Sequence, residues 1–300
     1  MAPSGSICAL ATPFHGRDDT LDLEACGRLI DYQLAGGTDA IVMAGSTGEA
    51  AALDEREYLE LLHFAVERVA RRIPVLAGTG LSATRKTISQ TQRARDAGVD
   101  MALVVAPPYV RPTQEGMYRH FSEVADHGGL PVVLYNVPSR TACDLLPETT
   151  ARLAAHGNIV GIKEARAEPE RMAALLPLAG ERFSVLSGDD PTCLRAMLAG
   201  AAGVISVAAN VVPRELKELS AACIAHNTRA AETIDEHLRP LYDFLGAEPN
   251  PIPVKWCLAQ LGIGEPELRL PLVPLSPAHH ARGRDVLVRL GLIEADRAVS

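Results

Sequence analysis

Lys163 closes a short apolar run, Asn158-Ile159-Val160-Gly161-Ile162-Lys163-Glu164-Ala165, of the length of a buried strand. The chain holds only three other lysines, Lys86, Lys217 and Lys255. An ammonium is strongly hydrated, so a lysine ending a buried strand is costly unless it is paired or used. When such a lysine is used, its amine attacks a carbonyl and forms a Schiff base. The competing reading is a strand-end lysine that reaches water or pairs with Glu164. What surrounds Lys163 decides between them.

Other reactive side chains follow apolar runs in the same way. One run ends in Ala44-Gly45-Ser46-Thr47-Gly48-Glu49, with two hydroxyls between glycines. Free backbone N–H groups there can hold a carboxylate, although a tight turn with no ligand has the same composition. Other runs end in Pro107-Pro108-Tyr109, Tyr135-Asn136-Val137-Pro138-Ser139-Arg140-Thr141, Ser187-Gly188-Asp189-Asp190 and Ile205-Ser206-Val207. Together these ends offer a lysine, two phenols, a Ser-Thr pair and an arginine, with few carboxylates and no metal-ligand cluster. That set suits carbonyl chemistry through an amine. A phenol can pass protons to and from the adduct, and Arg140 can grip a carboxylate with two parallel hydrogen bonds. Taken singly, Tyr109 and Tyr135 read equally well as core aromatics with a satisfied hydroxyl. Their shared placement with Lys163 favours a site.

The elements that must position these residues alternate regularly. Eight short runs rich in Val and Ile read as strands: Ile7–Leu10, Ala40–Met43, Val75–Ala77, Ala102–Val105, Val132–Tyr135, Val160–Lys163, Ser184–Leu186 and Gly203–Val207. Continuous apolarity suits strands buried on both faces of a parallel sheet. Helix-length segments lie between them, one with Leu23, Cys26, Leu29, Ile30 and Leu34 on a single face. Asp54 and Thr113 read as N-caps, Gly36-Gly37 and Gly98 as C-terminal stops, and Pro213 as a first helical residue.

Eight βα units in residues 1–225 predict a closed (β/α)₈ TIM barrel, whose active site lies at the C-terminal strand ends. A doubly wound nucleotide-binding sheet needs a Gly-rich first turn, and Leu10-Ala11-Thr12-Pro13-Phe14 lacks it. Residues 226–300 hold no strand candidate and read as a C-terminal three-helix extension, at about 228–246, 252–262 and 276–291. The prolines of Glu248-Pro249-Asn250-Pro251-Ile252-Pro253 form a rigid connector inside it.

The 300-residue chain has a formal net charge of −8, which argues against non-specific nucleic-acid binding. No apolar run approaches a membrane span, and Met1-Ala2-Pro3-Ser4-Gly5-Ser6 has no signal-peptide pattern, so the expectation is a cytoplasmic protein. The six scattered cysteines form no C-x-x-C pair and are expected to be reduced core residues. His279-His280 reads as helix surface, and no metal or other cofactor is expected. Lys86 and Lys217 are expected to be solvated. Lys255 is expected to pack its stem on Trp256 or to cap its helix.

Gly45-Ser46-Thr47-Gly48-Glu49, Tyr135-Asn136-Val137-Pro138-Ser139-Arg140-Thr141, Gly161-Ile162-Lys163-Glu164 and Ser187-Gly188-Asp189-Asp190 resemble the motifs of the dihydrodipicolinate synthase family of pyruvate-dependent class I aldolases and lyases. The resemblance continues through Asn250-Pro251-Ile252-Pro253-Val254-Lys255-Trp256 and Leu270-Pro271-Leu272. It implies that Lys163 forms a Schiff base with pyruvate. Tyr135, Thr47 and Tyr109 would relay protons, with Tyr109 crossing from a neighbouring subunit. Ser46 and Thr47 would bind the pyruvate carboxylate, and Gly188 and Ile205 would supply backbone groups beside Lys163. Arg140 is the narrower signal: in synthases proper it holds the carboxylate of L-aspartate 4-semialdehyde. The family also implies a homotetramer built as a dimer of dimers.

Two departures stand out. Ser46 replaces the usual first threonine but keeps the hydroxyl. Pro108 sits where lysine-inhibited members tend to carry a second tyrosine, and nearby Ala50, Glu55, Tyr58, Ser82 and Lys86 occupy positions that form the lysine feedback site in such enzymes. Lys86 would repel the ammonium of bound lysine, so inhibition is expected to be weak or absent. Two alternatives stay open at this stage: a related enzyme acting on a sugar-derived 2-oxo acid, and a non-catalytic barrel that binds a 2-oxo acid.

Overall fold

The computed structural model describes residues 2–16 and 19–295. Eight parallel strands close into a barrel in sequence order. They are β1 (Gly5–Ala9), β2 (Ala40–Met43), β3 (Val75–Gly78), β4 (Met101–Val105), β5 (Val132–Asn136), β6 (Ile159–Glu164), β7 (Ser184–Ser187) and β8 (Gly203–Ser206). Each expected strand is present, β2 with the expected bounds and the others with an end displaced by at most two residues. At β8 the chain turns after Ser206 into the short helix Ala208–Asn210, so Val207 leaves the strand.

Strand side chains alternate between two cores, as the pleat requires. Ile7, Ala9, Val42, Leu76, Leu103, Val133, Tyr135, Leu186 and Ile205 fill the barrel interior. Cys8, Ile41, Met43, Ala102, Val104, Leu134, Ile162, Val185 and Val204 face the surrounding helices. Both faces are buried, which is why the strands read as unbroken apolar runs. The helix signals match local geometry. Asp54 accepts from the Glu57 N–H while the Glu57 side chain accepts from the Asp54 N–H, a reciprocal cap. Thr113 caps Gln114–His127, and Pro213 opens Pro213–Ile224.

After the barrel come the helices Thr228–Leu245, Ile252–Gln260 and His280–Arg289, so the C-terminal helical extension is present. No helix among the described residues is long and apolar enough to cross a membrane. All six cysteines are buried and unpaired, as expected.

Three expectations need correction. Lys255 sits inside the helix Ile252–Gln260 rather than at its cap, and its ammonium has a buried partner that the sequence did not suggest. Its Nζ donates to Glu49 Oε1 at 2.7 Å, and both side chains are only 2% exposed. Lys217 is half-buried and pairs with Asp39 at 2.5 Å, so it is not simply solvated. The His279-His280 pair is not plain surface: the His280 ring stacks on Trp256, its Nε2 donates to the Leu275 carbonyl, and His279 lies 3.7 Å from Glu248.

Candidate active site

The strands are parallel, so all eight C-terminal ends open on one rim. Lys163 and Tyr135 are register partners across β6 and β5, and both face the barrel interior. The Lys163 Nζ lies 4.4 Å from the Tyr135 ring centroid. Lys163 is 5% exposed and has no acidic partner among the described residues. Glu164, the partner considered from sequence, turns to the opposite face. Its carboxylate accepts from Asn136 Nδ2 at 3.0 and 3.1 Å and from the Arg166 N–H at 2.8 Å. Asn136 and Glu164 are themselves register partners, so a polar pair outside the barrel backs the amine–phenol pair inside it. Burial pushes the Glu164 carboxyl up to about 7, against the opposing pull of these hydrogen bonds.

Gly188 packs beside the Lys163 stem. A Cβ there would stand 2.9 Å from Lys163 Cγ and 3.0 Å from Cε, so only glycine lets the lysine run along β7. The Gly188 N–H donates to the Glu164 carbonyl at 2.7 Å, fixing the approach. Ile205 closes the interior from β8 at 1% exposure. Just beyond it, the Val207 and Ala208 N–H groups donate to the buried Asp190 carboxylate.

The turn after β2 brings up Ser46, exposed at the rim, and Thr47, only 3% exposed beneath it. The Thr12 hydroxyl donates to the Gly48 carbonyl at 2.8 Å and holds this turn to the end of β1. Arg140, exposed after β5, has no carboxylate partner among the described residues; its Nη2 donates to the Asn250 carbonyl at 3.1 Å. Its guanidinium therefore retains N–H donors for an incoming anion.

Tyr109 behaves differently from the other expected site residues. Its side chain is 91% exposed, and its backbone adopts φ 73°, strained for an aromatic residue. Its N–H donates to the Thr141 carbonyl, which ties it to the turn that carries Arg140. The structure thus gathers Lys163, Tyr135, Thr47, Ser46, Arg140, Gly188 and Ile205 at one end of the barrel, and leaves Tyr109 pointing away from its own chain's core.

Comparison with known proteins fits this geometry. The model of the "Dihydrodipicolinate synthetase family" matches residues 2–289. The chain belongs to that family. Within the dihydrodipicolinate synthetase family, the chain is 59% identical to a 4-hydroxy-tetrahydrodipicolinate synthase of Xanthomonas campestris, over 93% of this chain and 92% of the relative. It is 55% identical to the enzyme of that name from Stenotrophomonas maltophilia, over 98% of this chain and 99% of the relative. Among solved structures it resembles a chloride-inhibited dihydrodipicolinate synthase from Acinetobacter baumannii, complexed with pyruvate. That likeness has a TM-score of 0.94 and 41% identity, over 97% of this chain and 99% of that one.

Sequence reasoning missed how the site of this family member is braced. Glu49, two residues past Thr47, meets Lys255 at Oε1 and the Arg269 N–H at Oε2. Lys255 Nζ and the Arg269 guanidinium both stand against the Phe14 ring, at 4.3 and 4.2 Å from its centroid. Asn250 was likewise given no role. Its available signal was a polar side chain within a proline-rich connector, where nothing local demands an amide.

Proposed function

We propose that this protein is a Schiff-base lyase that condenses pyruvate with L-aspartate 4-semialdehyde to 4-hydroxytetrahydrodipicolinate, on the route to diaminopimelate and lysine. The observation that carries the reading is Lys163: buried, without an acidic partner among the described residues, and facing the Tyr135 phenol. A lysine kept for structure would be paired or would reach water.

In this scheme the Lys163 amine adds to the pyruvate carbonyl, and water leaves to give the Schiff base. Loss of a methyl proton then gives an enamine. Its carbon attacks the aldehyde of the second substrate, whose oxygen takes a proton and becomes a hydroxyl. The substrate amine replaces Lys163 at the imine carbon, closing the ring and releasing the lysine. Tyr135 and Thr47 pass the protons, with Tyr109 completing the relay from a neighbouring subunit. Ser46 and Thr47 hold the pyruvate carboxylate, and Gly188 and Ile205 present backbone groups beside Lys163. Arg140 takes the carboxylate of the semialdehyde. The exposure of Tyr109 in the single chain supports an assembly of at least two copies, and we propose a homotetramer in the cytoplasm. Residues 1–225 would be the catalytic barrel, and 226–300 the helical region that braces it.

The test is turnover. The protein, pyruvate and aspartate semialdehyde should give product, while ketodeoxygluconate and N-acetylneuraminate should not be cleaved at a comparable rate. Cleavage of either sugar acid without turnover of the semialdehyde would overturn the substrate assignment.

A further inference from the structure

β7 and β8 share the shortest ladder of the barrel. They pair only through Leu186 with Gly203 and Ser187 with Val204, whereas β5 pairs with β6 along the whole of Val132–Asn136. Beyond Ser187 a side chain takes over. Asp190 Oδ2 accepts from the Val207 N–H at 3.1 Å and from the Ala208 N–H at 2.8 Å, in the turn that follows β8. The carboxylate is buried, and its Oδ1 has no hydrogen-bond partner among the described residues. A buried polar side chain with one oxygen left over costs free energy, so the two N–H bonds are what this position keeps it for.

We infer that Asp190 is a positioning residue that holds the turn after β7 against the Lys163 side chain. The inference rests on the reading of Lys163 as the amine that captures pyruvate, and deepens it. Gly188 makes the contact with the lysine stem, so closely that a Cβ there would stand 2.9 Å from Lys163 Cγ. Toward β6 the turn is fixed by the Gly188 N–H, which donates to the Glu164 carbonyl at 2.7 Å. Toward β8 it is fixed by Asp190. The turn between them is cross-linked: the Ser187 hydroxyl donates to the Asp189 carbonyl at 3.0 Å, and the Thr192 hydroxyl to the Asp189 carboxylate at 2.7 Å. A pull on Asp190 is therefore felt at Gly188.

The support that Asp190 grips is itself held. In the same turn after β8, Asn210 Oδ1 accepts from the Ala11 N–H at 3.0 Å and its Nδ2 donates to the Ala9 carbonyl at 2.8 Å, which ties the turn to β1. Without the Asp190 carboxylate the β7 turn stays anchored at β6 alone. The wall beside the lysine loosens, and the amine spends time away from the line of approach to a carbonyl. Arg140 follows β5, on the other side of β6 from this seam. Loss of Asp190 thus separates presentation of the amine from the grip on the second substrate.

The experiment follows the rate at which Lys163 forms its adduct at saturating pyruvate, by rapid quenching into borohydride and mass spectrometry. Thermal unfolding runs alongside to give the folded fraction. Asp190→Ala should slow adduct formation by about tenfold or more per folded chain. Asp190→Asn should stay within about threefold of the parent, because its amide oxygen still accepts from both N–H groups. In turnover, Asp190→Ala should lower kcat while the KM for aspartate semialdehyde stays within about twofold. Adduct formation at the parental rate in Asp190→Ala would overturn the inference, as would a loss that only tracks the folded fraction. An equal loss in Asp190→Asn would also overturn it, since the hydrogen bonds would then not be what matters. If Asp190→Ala does not fold, Asp190→Ser, whose hydroxyl is too short to reach both N–H groups, decides by the same criteria. A parent protein that forms no adduct would instead overturn the functional reading, and this inference with it.

Discussion

Lys163 and Tyr135 stand opposite each other on β6 and β5, with the lysine nitrogen 4.4 Å from the phenol ring centroid. One residue further along each strand, Glu164 and Asn136 form the same cross-strand pairing on the outer face. The two pairs share one register. A slip of the strands by one position would turn the amine out of the barrel and the carboxylate in. The outer hydrogen bonds therefore help to hold the reactive amine at the mouth.

Arg140 has no anionic partner among the described residues, so its loss should leave their electrostatics nearly unchanged. Arg140→Ala should raise the KM for aspartate semialdehyde by about tenfold or more, consistent with a lost charge-assisted hydrogen bond of roughly 1.5–3 kcal/mol. It should still form the pyruvate adduct at Lys163. Steady-state kinetics beside borohydride trapping checks both. Unchanged semialdehyde kinetics would remove Arg140 from substrate recognition.

The Lys255–Glu49 pair is buried on both sides. Deleting one member strands the other charge in an apolar setting, and breaking such a pair typically costs about 3–5 kcal/mol. Lys255→Met should lower unfolding stability by that order. Lys255→Met combined with Glu49→Leu should recover part of the loss, because neither charge then remains. Chemical denaturation of the single and double variants reads this directly; equal losses in both would argue against the pair as the origin.

Burial pushes the Glu164 carboxyl up from its ordinary value of 4.5 to about 7. The folded protein therefore favours the protonated form more than the unfolded chain does. That contribution to stability is fully present below about pH 4.5 and is lost as pH rises through about 7. It amounts to roughly 3 kcal/mol at most. Glu164→Gln should flatten the fall in stability across this window. Denaturation midpoints measured from pH 4.5 to 7.5 check it, and parallel slopes for parent and variant would contradict the assignment.

Lysine feedback should be weak. Tyr58 is buried, and its hydroxyl donates to the Gly78 carbonyl. The Ser82 hydroxyl donates to the Pro108 carbonyl, Glu55 pairs with Arg93 at 2.9 Å, and Lys86 is exposed nearby in sequence. The polar groups that an amino acid would need are thus engaged with the protein, and the remaining cation repels an ammonium. A lysine titration of the turnover rate should show little inhibition below millimolar concentrations. Strong inhibition there would refute this.

The barrel was legible in the sequence because its strands are buried on both faces, which leaves uninterrupted Val- and Ile-rich runs between helical segments. Lys163 was legible because a scarce, strongly hydrated residue ended such a run. The braces were not. Lys255 and Glu49 are 206 positions apart, and Asn250 and Thr47 are 203 apart. Neither contact leaves a periodic trace, since each depends on where a loop lands after the barrel closes. For Lys255, local reasoning saw the neighbouring Trp256 and could not see Glu49. Glu164 posed the opposite difficulty: it adjoins Lys163 in sequence, yet the strand pleat sends the two side chains to opposite faces.

The account stands on Lys163 as the amine that captures pyruvate. Incubation with pyruvate, reduction with borohydride and peptide mass spectrometry test it most directly. The prediction is one reduced pyruvate per chain, located on Lys163 and absent from Lys163→Ala. An unmodified Lys163 under saturating pyruvate, or an adduct confined to Lys86, Lys217 or Lys255, would contradict it.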